Sequence, residues 1–376
     1  MKNFKNHEER EHGYITSSFG ITYNRLRNFS RYSSVKSYDY SGSSLSDAFC
    51  SVHSPDNAFN EALDLGLIGY DEKGNAGSNF SLNDNFDKSS RYIESGHIGQ
   101  WDFSYGMNIS NRVFLGASLG IATLDYSQKN FYDETSLNED GGYFFYNNFL
   151  HSDGTGVNFK LGAIVKATDF MRIGFAIHTP TLYSIREKYS VELDYNDQYP
   201  GQPEIEYDDY IYDLSSPFKL QGSLGFVIAN RALIGLEYDF DNYSTMRMDD
   251  LDGKLEIQSE TMKEEFNAVH SLKLGAEFKV IEEFALRAGF AFMTSPIDYD
   301  EYMSEELYLY RALSLPQKTH YITAGAGYEG DHFYCDLAYV FRNQNAKFFG
   351  MLPQDETACN MNLKNHNIIA TLGWRF

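Results

Sequence analysis

The fold is indicated most clearly by the last twelve residues, Asn365-His366-Asn367-Ile368-Ile369-Ala370-Thr371-Leu372-Gly373-Trp374-Arg375-Phe376. In steps of two it places one apolar set on a single face: Ile368, Ala370, Leu372, Trp374 and Phe376. A period of two indicates a β-strand, because successive side chains of a strand point to opposite faces. The apolar face ends in two aromatic rings, as at the interface of a membrane-spanning strand. An edge strand of a soluble sheet would look similar, so the other strands must decide.

The same alternation recurs along the chain. Trp101, Phe103 and Tyr105 alternate with Gln100 and Asp102, and twelve such segments can be counted from residue 13 onward. Most are about 9–11 residues long, which is enough to cross a bilayer at a tilt. Short turns and long loops separate them in strict alternation. The long loops are acidic and rich in Tyr, Asn and Asp: 127–152, 194–213, 241–265, 295–316 and 342–362.

The distribution of charge along the segments separates a membrane barrel from a soluble sandwich. Lys160, Glu237, Lys273 and Arg287 all fall on the face opposite the hydrocarbon side chains. In a sandwich the apolar face is the core and strands are shorter, without segregation of loop lengths. The sequence therefore predicts an all-β protein. We expect an antiparallel transmembrane β-barrel of about twelve strands, with short periplasmic turns, long extracellular loops and one or two short helices.

Composition excludes several classes of protein. Lys and Arg number 31 against 53 Asp and Glu, and the net charge of -22 argues against nucleic-acid binding. Tyr 29, Phe 29 and Gly 30 suit a β-protein with lipid-facing rings. The three cysteines, Cys50, Cys335 and Cys359, show no paired spacing, which excludes a disulfide framework and an ordinary zinc site.

We divide the chain into a polar segment, 1–12, and one barrel, 13–376, with a long loop at 28–90. Residues 1–12 lack the apolar region of a signal peptide. Within the loop, Ser54-Pro55-Asp56-Asn57 predicts a helix start. The stripe Phe59, Leu63 and Leu67 then predicts an amphipathic helix. This stripe either packs on the barrel mouth or belongs to a surface that captures a hydrophobic ligand.

Four stretches resemble the FadL/TodX family of outer-membrane transporters of hydrophobic compounds, in the form found in Bacteroidetes-type bacteria. They are Gly20-Ile21-Thr22-Tyr23-Asn24-Arg25, Leu115-Gly116-Ala117-Ser118-Leu119-Gly120, Arg172-Ile173-Gly174-Phe175-Ala176-Ile177-His178-Thr179-Pro180-Thr181 and Leu286-Arg287-Ala288-Gly289-Phe290-Ala291-Phe292. The family has fourteen strands, a signal peptide and an N-terminal hatch with an Asn-Pro-Ala motif. The comparison leads us to expect that this chain starts at the family's third strand, without signal peptide, hatch and first two strands.

The resemblance implies a location in the bacterial outer membrane and a function in uptake. The expected ligands are hydrophobic small molecules such as long-chain fatty acids, which would enter by passive diffusion. The expected partners also include outer-membrane lipid or lipopolysaccharide, and the barrel is expected to be a monomer. No cofactor and no metal is implied.

Within such a barrel, the inward charges are the candidates for ligand binding. Lys160, Arg172 and Arg287 would meet a carboxylate head group, since a guanidinium fork suits that geometry. His178 lies nearby in sequence, and the stripe of 28–90 would hold an acyl chain. The other interpretation is that the inward charges pair across the lumen and make the barrel rigid.

Two further motifs suggest other functions, and both are incomplete. His178 beside Thr179 suggests a barrel lipid enzyme, but the chain has no Gly-x-Ser-x-Gly nucleophile motif, so we predict no enzyme. Asp249-Asp250-Leu251-Asp252-Gly253 is acidic but lacks the first and last ligands of a calcium loop. The remaining alternative is a structural or adhesive barrel whose acidic loops bind ions or a partner.

Overall fold

The computed structural model describes residues 13–41, 44–51, 58–80, 85–138, 142–196, 205–206, 209–250, 255–297, 315–348 and 359–374. It is almost entirely β-structure, with seventeen strands in one antiparallel sheet and two in a separate hairpin. The strands are β1 Tyr14–Asn28, β2 Arg31–Tyr40, β3 Ile68–Tyr70, β4 Ala76–Ser78, β5 Phe86–Ile109, β6 Val113–Ser136, β7 Tyr143–Lys166, β8 Met171–His178, β9 Leu182–Tyr195, β10 Ile205–Glu206, β11 Tyr210–Ser215, β12 Phe218–Ile228, β13 Ala232–Asn242, β14 Arg247–Asp249, β15 Ala268–Lys279, β16 Phe284–Met293, β17 Leu315–Glu329, β18 Phe333–Phe348 and β19 Cys359–Trp374. The helices are α1 Leu45–Ser51, α2 Ala58–Asp64 and α3 Glu256–Glu265.

Several of these strands are two parts of one crossing. β1 and β2 both pair with β5, and β8 and β9 both pair with β7. The break between β8 and β9 contains Pro180, and the adjacent break between β11 and β12 contains Pro217. Proline has no N–H to give to a ladder, so it interrupts a strand where it occurs. Four crossings consist of two strands each: β1 with β2, β8 with β9, β11 with β12, and β13 with β14. Counted in this way, the described strands make twelve consecutive crossings, as the sequence predicts, and β10 is a short addition.

Three central crossings are longer than expected. β5, β6 and β7 have 24 residues each, and they pair with one another in unbroken register. Most of 127–152, expected as a loop, is therefore strand. Cross-strand contacts such as Phe131 on Phe149, with ring centroids 5.7 Å apart, stabilise this extension despite its polar composition. The segment 28–90, expected as one loop with a helix, likewise contains β2, α1, α2 and the β3–β4 hairpin.

The outward face of the sheet is apolar and exposed. Phe19 is 68% exposed, Leu372 74% and Ile368 76%. A contiguous apolar surface of this extent is not stable in water and marks contact with lipid or a partner. The alternation predicted from the sequence is thus the division between a lipid-facing and an inward face. Among the described helices, none has the length and apolar character needed to cross a membrane.

The sheet curls so that its two ends approach each other. Arg27, near the end of β1, is close enough to Arg342 on β18 for the two positive charges to repel each other. Within the described residues β1 pairs only with β5 and β19 only with β18, and no ladder joins β1 to β19. The inward face therefore surrounds a lumen whose wall has a seam between the first and last strands.

A small module lies against the inward face at the outer end of the tall strands β5, β6, β7 and β9. It comprises residues 44–51 and 58–80, with α1, α2 and the β3–β4 hairpin, and we call it the mouth module. Its packing centre with the wall is a cluster that we call the mouth core: Phe49, Ala62, Leu65, Leu67, Ile68, Phe80, Phe86, Tyr132, Phe144 and Leu193. The module is held by hydrophobic burial, which is the dominant favourable term in packing.

Candidate functional site

Alternating acidic and basic side chains cross the inward wall, in an arrangement that we call the charge belt. The Lys160 Nζ lies 2.8 Å from the Asp102 Oδ1. Farther round, the Asp239 carboxylate lies 2.9 Å from the Lys219 Nζ and 2.8 Å from the Lys273 Nζ. Each of these pairs joins side chains from different strands. The belt thus ties β5 to β7 and β12 to β13 and β15.

Glycines let two further side-chain connections of the inward wall pass over an intervening strand. Asn158 donates to Gln100 at 2.9 Å, and a Cβ on Gly120 between them would meet both side chains at under 3 Å. Arg287 on β16 similarly pairs with Asp336 on β18, and their charged ends occupy the space above Gly327. Arg287 also pairs with Glu277, with Nε and Oε2 2.6 Å apart. The role of these glycines was not predictable from the sequence, because it depends on which strands become neighbours.

The predicted cations differ in their partners. Lys160 and Arg287 are paired with carboxylates, which agrees with the interpretation that inward charges pair with one another. Arg172 is exposed on the inward side of β8, and it makes no ion pair with any residue in the described ranges. It is therefore the predicted cation that is free to meet an acidic ligand.

Arg172 borders a cavity of about 780 Å³ in the wall of the lumen. This volume falls within the usual range for small-molecule sites. Small inward-facing residues make the space available: Gly174, Ser223, Gly225, Gly235, Gly275, Gly289, Ala291, Thr323, Gly325 and Ala338. Charged groups of the wall, including Lys273, Glu237 and Arg287, border the same cavity. The site thus combines an open, small-residue wall with one unpaired cation.

His178 stands between two lysines. Its register partners are Lys160 on β7 and Lys219 on β12. The side chain of the neighbouring Thr179 is engaged with the backbone, since its Oγ1 accepts a hydrogen bond of 2.9 Å from the Phe159 N–H. His178 and the cavity residues are therefore separate features of the wall, since His178 does not line the cavity.

The predicted acyl-chain stripe lies in the mouth module. Leu67 follows the end of α2 and is completely buried in the mouth core, and Leu63 packs partly buried against it. Phe59 is in α2, but its side chain lies outside the description, as does the predicted helix start at 54–57. In this arrangement Leu63 and Leu67 attach the module to the wall rather than present an open surface.

A buried carboxylate anchors the same module. Glu134 and Lys88 form an ion pair of 3.2 Å with both side chains fully buried. Glu134 also accepts from the Ser44 hydroxyl at 2.5 Å and the Leu45 N–H at 3.1 Å, at the start of α1. Burial raises the pKa of the nearby Asp47. This anchor was not predicted, because 127–152 was expected to be a loop. Continued alternation would have placed Glu134 on the inward face.

The acidic segment that suggested ion binding is only partly described, since 251–254 lie outside. Asp213 on β11 stands directly opposite Asp249 on β14. Two carboxylates in this position repel each other. Within the described ranges, however, no group of three or more His, Cys, Asp or Glu side chains is arranged to hold a metal ion.

Several solved structures resemble this architecture. A FadL homologue of Pseudomonas aeruginosa matches with 13% identity over 96% of this chain and 86% of its own, at a TM-score of 0.47. The toluene transporter TodX of P. putida matches with 12% identity over 96% of this chain and 78% of its own, at a TM-score of 0.50. The CymD monoaromatic hydrocarbon channel matches with 13% identity over 76% and 77% of the two chains, at a TM-score of 0.46. No curated protein gave a significant match.

The TodX likeness at this identity shows a common fold and nothing finer. The family model described as outer membrane protein transport protein (OMPP1/FadL/TodX) matches residues 109–340, which is more than half of the sequence. That range includes the charge belt except for Asp102, and it includes the residues that line the cavity. The chain belongs to the OMPP1/FadL/TodX family of outer-membrane transport proteins, and it is an outer-membrane β-barrel.

Proposed function

We propose that the protein is a channel for passive uptake of hydrophobic molecules that end in a carboxylate, such as long-chain fatty acids. The observation that carries the proposal is the unpaired Arg172 beside a cavity of about 780 Å³. An aliphatic chain accepts no hydrogen bond from a guanidinium, whereas a carboxylate accepts two parallel hydrogen bonds from it. The solved relatives named above include channels for toluene and monoaromatic hydrocarbons, so the acidic end group is the specific part of the proposal.

In this proposal the ligand moves from the mouth to the cavity. The paired Lys160 and Arg287 and the neighbouring His178 form the polar wall along which the head group passes. Phe59 and Leu63 of α2, together with Leu67 after the end of this helix, contact the acyl chain when the mouth module separates from the wall. No energy source or cofactor enters the mechanism, and no catalytic step is proposed.

The test compares a fatty acid with the fatty alcohol of the same chain length. Arg172→Gln should weaken binding of the acid by at least about tenfold, since a hydrogen bond to a charged group contributes about 1.5–3 kcal/mol. It should leave binding of the alcohol unchanged. Binding is measured with purified protein in detergent, by competition against a fluorescent fatty acid.

The matched control is Arg231→Gln, which removes the same charge from an exposed periplasmic turn outside the cavity. Equal affinities of the Arg172 and Arg231 variants for the acid would contradict the proposal. Equal loss of acid and alcohol in the Arg172 variant would instead indicate a structural role for this residue.

The alternative function is a structural or adhesive barrel with acidic loops that bind ions or a partner. The opposed Asp213 and Asp249 favour it, because a cation would relieve their repulsion. Calorimetry with calcium distinguishes the two functions. Calcium binding that Asp213→Asn abolishes, together with absence of any bound hydrophobe after purification, would favour the structural function.

A further inference from the structure

The outward face of β17, β18 and β19 changes character where the apolar band ends. On the periplasmic side of this boundary lie exposed apolar residues such as Ile322 and Ile368. Immediately on the extracellular side is a polar set that we call the basic rim: Lys318, His320, Asn343, Lys364 and His366. The rim is continuous, because His320 is the register partner of Asn343 and Asn343 is the partner of Lys364.

Among the described residues of β17, β18 and β19, the lysines of the rim have no acidic neighbour on their own face. Lys318 and Lys364 are exposed, and neither forms an ion pair with any described residue. The outward positions of the three strands carry no Asp or Glu in the described ranges. A local excess of positive charge is unusual on a chain of net charge -22. The rim is therefore complementary to an anion, while most of the remaining surface repels one.

Aromatic side chains fix the orientation of both histidines. The Tyr339 hydroxyl lies 2.7 Å from the His366 Nδ1, and the Phe341 ring centroid lies 5.0 Å from that of His366. The Phe292 ring similarly lies 5.1 Å from His320. When the tyrosine hydroxyl donates, the proton of His366 is on Nε2, which can then donate to an oxygen at the surface. The rim thus offers oriented donors beside two mobile ammonium groups.

We propose that the basic rim binds the phosphorylated head group of an outer-leaflet lipid, such as the lipid A part of lipopolysaccharide. Strands are about 4.8 Å apart, so the rim spans roughly 10 Å from β17 to β19. This width suits a head group with more than one phosphate. The acyl chains of the same lipid lie along Ile322 and Ile368, and so one molecule satisfies both parts of the surface. This site faces lipid, and it does not depend on the proposed uptake of carboxylates.

The test is native mass spectrometry of the purified protein released from neutral phosphatidylcholine nanodiscs, with lipid A or dephosphorylated lipid A as the probe. The wild-type protein should retain lipid A in preference to the dephosphorylated form. Lys318→Gln with Lys364→Gln should bind lipid A about 25-fold more weakly, because each lysine near a membrane surface contributes about fivefold. Lys318→Arg with Lys364→Arg should retain it.

The matched control is Lys36→Gln with Lys129→Gln, which removes two exposed lysines from the outer parts of β2 and β6. Retention of lipid A by the Lys318/Lys364 glutamine variant, or equal loss in the control, would overturn the proposal. So would displacement of lipid A by equimolar inorganic phosphate, which would indicate a site for a free anion. High salt provides a test on the wild-type protein, because it should weaken binding of lipid A only.

Discussion

At the scale of single residues, the inward wall depends on partners that are far apart in sequence. Asp102 and Lys160 are 58 positions apart, yet they form one ion pair across an intervening strand. The alternation of the sequence predicted correctly that such residues face inward. It could not predict which of them would be neighbours, because register is set by the whole sheet. For this reason Arg172 and Arg287 looked equivalent in the sequence and are not equivalent in the structure.

The buried Lys88–Glu134 pair leads to a prediction about the mouth module. Glu134→Gln leaves the Lys88 charge buried without its counter-charge, which costs about 3–5 kcal/mol. We expect faster proteolysis and amide exchange in the mouth module, and faster uptake of a hydrophobic ligand into liposomes. Lys88→Met combined with Glu134→Gln should restore protection, since no buried charge remains.

The control for this prediction is Glu264→Gln, which neutralises an exposed glutamate of α3. Unchanged amide exchange in the mouth module of the Glu134 variant would show that the buried pair does not hold the module.

At the scale of elements, the strands from Val157 to Lys166 and from Met171 to His178 were predictable, because alternation and short turns are local signals. The outer parts of β6 and β7 were not. Their side chains are mostly polar, and they form strands because each pairs with a long neighbour. The mouth module was predicted only as a helix with an apolar stripe. Its contact with Phe86, Tyr132 and Phe144 is a tertiary feature with no local signal.

The packing of the mouth module can be tested with one core leucine. Leu67→Ala removes a completely buried side chain and should cost about 2–5 kcal/mol of local stability. Amide exchange should rise in α2 and in the β3–β4 hairpin, while β15 to β17 stay protected.

Leu372→Ala is the matched control, since it makes the same substitution at a lipid-facing position that is 74% exposed. Loss of protection throughout the barrel in the Leu67 variant would mean that the module and the barrel unfold as one unit.

For the whole molecule, the main structural question is the seam between β1 and β19, where no ladder joins the first and last strands within the described residues. Strand edges in lipid expose N–H and C=O groups that water cannot satisfy. Every second amide of β1 and β19 lacks a ladder partner within the described residues. These two strands are therefore the parts of the wall with the least backbone support.

The seam predicts a pattern of hydrogen exchange. In detergent, amides of β1 and β19 should exchange faster than those of β6, which is paired on both sides over most of its length. Exchange is measured by mass spectrometry of peptides after brief labelling. Equal protection of β19 and β6 would show that the barrel closes by a direct β1–β19 ladder.

The unequal height of the wall has a consequence for access from solution. Strands of 24 residues extend about 80 Å, and a crossing uses about 9–11 residues of that length. On the side of β5, β6 and β7 the wall therefore extends about 45 Å beyond the hydrocarbon, measured along the strands. The mouth module packs near the outer end of this extension. A molecule that arrives from the medium thus meets the mouth module well before it reaches the level of the lipid tails.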